Sequence, residues 1–172
     1  MAGQLIQVAT NTVSSPVSSV TLTGIDSDDV YMVAMNNVVP VNNAVNLKSR
    51  VTKSGTADTT SNYDVAGKQL KANTTFANSS STNSDNWLIH FNQGNLTGEA
   101  NNIIYYLYNF NSSSEYSFIT FEETGFDSNP NLIGNQGGAV HTVASASDGV
   151  HFYMTSGNIA SGTFTLYRQV GS

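Results

Sequence analysis

Three kinds of residue in this sequence could do chemistry: histidines, carboxylates and glycine-rich turns. For metal binding, His90, His141 and His151 have no partner two or four positions away and no carboxylate at a matching interval. Each reads as an ordinary strand residue. The run DSDD (26–29) places Asp26, Asp28 and Asp29 in a turn and supplies half of a calcium loop, without the glycine and distal glutamate of an EF-hand. For glycoside hydrolysis, two carboxylates must face each other across the bond. Glu122 and Glu123 are neighbours in a strand-like run and so point to opposite faces. Nothing in the spacing of Glu99, Glu115 or Asp127 pairs them with either. The segment GNQGG (134–138) lacks the Lys and Ser/Thr of a phosphate-binding loop and leads towards a strand, and no GxSxG elbow is present. With no cysteine there is no thiol nucleophile, no Cys-ligated zinc and no disulfide. The chain is expected to be non-enzymatic and to carry no cofactor.

The composition favours contact over catalysis. Only 10% of the 172 residues are charged, and Asn, Ser and Thr (21, 22 and 18) supply the polarity instead. Amides and hydroxyls cost less to bury on assembly than Lys or Glu. The net charge of −6 and pI of about 4.7 exclude nucleic acid as a direct partner, because a phosphate-neutralising surface is missing. Five of the six basic residues, Lys48, Arg50, Lys53, Lys68 and Lys71, nevertheless fall within 24 positions. Two readings follow: a solvated strand and loop, or a docking patch for an acidic partner. The first basic residue is Lys48 and the apolar runs are short, so neither a secretory signal nor a membrane span is expected.

The elements that would position these residues are strands. Val20 and Leu22 alternate with Thr21 and Thr23, Leu47 and Val51 with Lys48, Arg50 and Thr52, and Trp87, Ile89 and Phe91 with Leu88 and His90. NIIYYLYNF (102–110) is apolar on both parities. It reads as a central strand covered on both faces, or as one whose second face meets another chain, and it forms a hairpin with EYSFITFEE (115–123). About ten strand candidates and no sustained helical period give an all-β fold, a single-domain antiparallel β-sandwich. Residues 1–19 read as an extended N-terminal arm or an edge strand, and 20–172 as the sandwich, with a long excursion at 51–86 in which Tyr63 to Lys71 could form a short helix.

The chain closes with two alternating strands that read as a hairpin. Val150, Phe152 and Met154 oppose His151, Tyr153 and Thr155, and after a loop over Ser156 to Ser161, Phe164 and Leu166 oppose Thr163, Thr165 and Tyr167. The outward set, His151, Tyr153, Thr163, Thr165 and Tyr167, is the candidate interface or glycan-binding face. Trp87 shares a parity with Ile89 and Phe91 and reads as core.

The whole chain resembles a group of small virion proteins from marine tailed phages such as cyanophages. The resemblance is carried by MAGQLI (1–6), VTLTGIDSDDVYMV (20–33), RVTKSGTADTTSNYD (50–64), EYSF (115–118) and, most specifically, GGAVHTVASASDGVHFYMTSGNIASGTFTLY (137–167). Where that group often has Gly after the final Tyr, this chain has Arg168. The resemblance implies a jelly-roll-like sandwich, no catalytic residue, synthesis in a host cytoplasm and a place on the particle exterior. The function expected from it is capsid decoration or cementing, as a homo-oligomer such as a trimer, with the major capsid protein or tail proteins as partners. The alternative is a tail or fibre-associated module that binds a host surface glycan or receptor.

Overall fold

The structure, a computed structural model, describes residues 3–88 and 91–171. Ile89 and His90 lie outside the described residues. Thirteen strands and no helix are found among the described residues: β1 (Gln4–Val13), β2 (Ser19–Thr23), β3 (Tyr31–Pro40), β4 (Leu47–Lys53), β5 (Thr56–Ala57), β6 (Tyr63–Lys71), β7 (Ala77–Ser84), β8 (Trp87–Leu88), β9 (Asn101–Tyr108), β10 (Ser117–Phe126), β11 (Leu132–His141), β12 (Gly149–Met154) and β13 (Ile159–Val170).

They form two antiparallel sheets. The larger runs β1-β13-β3-β9-β10-β11-β6-β7, and the smaller runs β2-β12-β4-β5, with β8 also on β4. First pairs with last and second with second-last, β1 on β13 and β2 on β12, which is the wrapping of a jelly-roll-like sandwich. The strands β9, β10 and β11 depart from that wrapping and form a meander.

The core follows from the two-residue period. Ile103, Tyr105 and Leu107 of β9 and Phe164 and Leu166 of β13 point inward from the large sheet, and Val150, Phe152 and Met154 of β12 meet them from the small one. The ring of Phe152 lies 5.9 Å from that of Tyr105 and 5.5 Å from that of Phe164, so aromatic contacts join the sheets. Trp87 is fully buried; its Nε1–H donates to the Val140 carbonyl of the opposite sheet at 3.0 Å.

Three expectations change. The closing hairpin is not one: β12 belongs to the small sheet and β13 to the large sheet, so Thr155 to Asn158 cross from one layer to the other, and Ile159 to Ser161 already lie in β13. Residues Tyr63 to Lys71 form no helix. They are the strand β6, paired on both sides, with Tyr63 and Val65 buried and Gly67 opposite Gly137. The excursion at 51–86 therefore contains two strands of the large sheet and is not mainly loop. The GNQGG segment, finally, lies inside β11 rather than ahead of a strand.

At the N-terminus, β1 is an edge strand of its own chain, held by β13 over nearly its whole length.

Candidate functional site

Two outer faces carry the residues singled out from sequence. On the small sheet, β12 lies between β2 and β4, and its outward side chains are His151 and Tyr153. Lys48 stands opposite Tyr153 and Arg50 opposite His151. The guanidinium of Arg50 stacks on the Tyr153 ring at 4.7 Å from its centroid, and the His151 and Tyr153 rings are 5.7 Å apart. Thr21 Oγ1 and His151 Nδ1 are hydrogen-bonded at 2.8 Å. Arg50 is committed further: it pairs with the Asp85 carboxylate and its Nε donates to the Asp85 carbonyl at 2.7 Å, tying the turn before β8 to β4. One face of Tyr153 is therefore already occupied by Arg50.

The second outer face is that of the large sheet, and Tyr167, Thr163 and Thr165 belong to it or to its edge ladder. Tyr153 and Tyr167 thus lie on opposite sides of the sandwich, and one ligand cannot touch both. The threonines are taken up within the chain: Thr165 is buried and 3.0 Å from Thr10 Oγ1, and Thr163 is 3.4 Å from Thr12 Oγ1. This ladder ties β1 to β13.

The basic window is also divided. Lys48 and Arg50 are on the small sheet, whereas Lys68 and Lys71 are on β6 of the large one. Lys68 donates to Asn78 Oδ1 at 2.8 Å. Burial pushes the Asp127 carboxyl up, but hydrogen bonds from Asn131 and Asn129 outweigh it, and Lys71 adds to the downward shift. Lys53 pairs with Asp58 at 3.0 Å. No single basic docking patch results, because the chain crosses between sheets inside the window.

Asp58, Lys53 and His141 form a small ionisable group that no sequence spacing announces. Burial pushes the Asp58 carboxyl up, but donors at Thr60 (N at 2.9 Å, Oγ1 at 2.6 Å) and the Lys53 ammonium outweigh it and hold Asp58 at about 2. His141 is fully buried, 3.6 Å from Asp58 and stacked near Tyr63. Burial lowers its pKa, and Asp58 opposes that shift only in part. The unfolded chain takes a proton at a histidine near 6.5, so the folded state loses stability as pH falls below about that value. Asp58 acts in the other window: its contribution is complete above about 4 and is lost as pH falls through about 2. Denaturant midpoints are therefore expected to drop between about pH 7 and 5, and to drop less in His141→Phe. Parallel curves for the two proteins would show that His141 is not the titrating group.

The acidic turn is explained by a residue far away in sequence. Arg168 Nε donates to Asp29 Oδ2 at 2.6 Å, and its guanidinium also lies 3.8 Å from Asp26. The Ser27 hydroxyl and Arg168 together lower the Asp29 carboxyl below its ordinary value. The carboxylates thus hold a turn against the last strand, and among the described residues no three His, Cys, Asp or Glu side chains converge as metal ligands. Glu122 and Glu123 point apart as their adjacency requires, the first exposed and the second buried with Asn135 Nδ2 at 2.9 Å.

Large apolar side chains are also exposed in the middle of the large sheet's outer face. Ile104, Tyr106 and Phe118, on the adjacent strands β9 and β10, are 37%, 39% and 44% exposed, and no element among the described residues covers them. The reading of NIIYYLYNF as a strand covered on both faces does not hold, since its second face is exposed within the chain. No family model matches the chain, and no curated protein matches it.

Proposed function

We propose that this chain is a non-enzymatic structural component of a phage virion, a decoration or cement protein that stabilises the particle through repeated subunit contacts. The observation that carries the reading is the uncovered apolar face of β9 and β10. Three large exposed side chains stand on two neighbouring strands in the middle of a sheet, and grouped apolar exposure of this kind marks contact surfaces. Thr120 stands opposite Tyr106 and Glu122 opposite Ile104, and the chain as a whole carries most of its polarity on amides and hydroxyls, which cost less to desolvate than charges. The resemblance to marine phage virion proteins agrees with this chemistry and supplies the setting: synthesis in a host cytoplasm and addition to the particle exterior.

The test is the copy number of this chain in gradient-purified particles of the phage that encodes it, measured by quantitative mass spectrometry. Abundance comparable to the major coat protein is the expected result. A level like that of portal or tail proteins would replace decoration with a tail role, and absence from the particle would overturn the virion reading.

A further inference from the structure

We propose that the outer face of β9, β10, β11, β6 and β7 in the eight-stranded sheet closes on the same face of a second copy of the chain, around a two-fold axis running along β11. The inference rests on the reading of that face as a contact surface and names its occupant.

The register of the ladders sets out the face row by row. One row runs Tyr106, Thr120, Gly138, Ala66, Ser80 across β9, β10, β11, β6 and β7. The next runs Ile104, Glu122, Gln136, Lys68, Asn78 over the same strands. Over these five strands β11 is the middle one, and beyond β9 the same rows continue through Met32 and Tyr167 and through Ala34 and Thr165. Tyr106 and Ile104 stand at the β9 end and Ser80 and Asn78 at the β7 end, with Ala66 beside Ser80, while Glu122 and Lys68 sit one strand away from Gln136 in opposite directions.

A two-fold axis parallel to β11 exchanges these halves. It sets Lys68 of each copy opposite Glu122 of the other, giving two ion pairs, and sets the β9 end of each face over the β7 end of its partner. The other in-plane two-fold, perpendicular to the strands, would lay each strand on itself and leave Lys68 without a carboxylate. The receiving half is hollow: a trough of about 550 Å³ lies over Ala66, Ser80 and Gly138, with Phe118 as one wall. Gly138 is not required by the fold of the single chain, since the nearest atom to an added Cβ is 3.6 Å away. The space above it is left open towards a partner.

The size is adequate. Five strands about 4.8 Å apart and eight to ten residues long at about 3.3 Å each give on the order of 700 Å² per partner, near the roughly 800 Å² of a standard interface. Two sheets so related pack face to face with nearly aligned strands, as the layers of a sandwich do.

Sedimentation velocity on the purified chain tests this. The wild type is expected to be a dimer at about 100 μM and below. Lys68→Glu and Glu122→Lys should each weaken the dimer at least about tenfold, and the double exchange should restore it, because the pairs re-form with signs reversed. Gly138→Leu should give a monomer whose melting temperature matches that of the wild type at a concentration low enough for the dimer to have dissociated. A monomeric or trimeric wild type, a double exchange that fails to restore association, or a dimer that survives Gly138→Leu would overturn the proposal. The assay contains no particles, so its failure leaves the copy-number result standing, and absence from particles leaves the dimer standing.

Discussion

Replacing Trp87 by alanine is expected to cost about 3–5 kcal/mol, the largest loss for any single truncation in this core. The strand that carries Trp87 is only two residues long, yet its side chain joins three elements. Trp87 meets Tyr63 of β6 edge-on at 5.2 Å and 88°, and it lies 6.3 Å from Phe110, which follows β9. The indole N–H crosses to the Val140 carbonyl of β11. Truncation removes the ring area, opens a cavity that the rigid strands around it cannot close, and strips a buried carbonyl of a donor. For a chain of this length the melting temperature should fall by roughly 6–20 °C. Trp87→Phe, which keeps most of the ring and loses the N–H, should cost about 1–2 kcal/mol. If the alanine variant unfolds within about 1 kcal/mol of wild type, Trp87 is not the wedge between the sheets.

The buried position of Trp87 was legible from its parity with Phe91, as were the inward faces of β2, β4, β12 and β13 and the pairing of β9 with β10. Alternation records which side of a strand faces the core. It does not record which strand lies alongside. That is why Tyr153 and Tyr167 seemed to share a surface: a short loop can close a hairpin or cross between layers, and both leave the same period. The strand β6 was ambiguous for a different reason. Tyr63, Val65, Ala66 and Leu70 fit a short helical stripe as well as a strand, and Gly67, which settles the matter by meeting Gly137 across the ladder, has no side chain to show its side. The basic window failed as a patch because sequence proximity says little when the chain changes sheet within it. Arg168 and the DSDD turn, or His141 and Asp58, are too far apart in sequence for any local spacing to link them. The open face of β9 was legible as an excess of apolar residues on the outward parity. The hollow beside it was not, because it is made by small side chains from three strands brought together only by register.

Gly137→Val is expected to cost about 3 kcal/mol or more and to detach β6 and β7 from the large sheet. A Cβ at this position would stand 2.3 Å from the Ala66 carbonyl oxygen, 2.6 Å from the Gly67 Cα and 2.8 Å from the Phe121 ring. Phe121 lies across the two facing glycines and is itself buried, so the ring fills the space that two side chains would otherwise take. Overpacking usually costs about 1–3 kcal/mol where side chains can shift, and two of these three contacts are backbone, which cannot shift without opening the β11–β6 ladder. The expected signature is loss of amide protection in β6 and β7 ahead of the rest of the sheet. Phe121→Ala in the same chain should not rescue it, since it relieves only the ring contact. In Gly138→Val, one residue on and pointing the other way, the added Cβ meets nothing closer than 3.6 Å, and the stability of the dissociated chain should change by no more than about 0.5 kcal/mol. Equal costs at the two positions would mean that the inward and outward faces of β11 are not as the register places them, and the hollow beside β9 would then lose its floor.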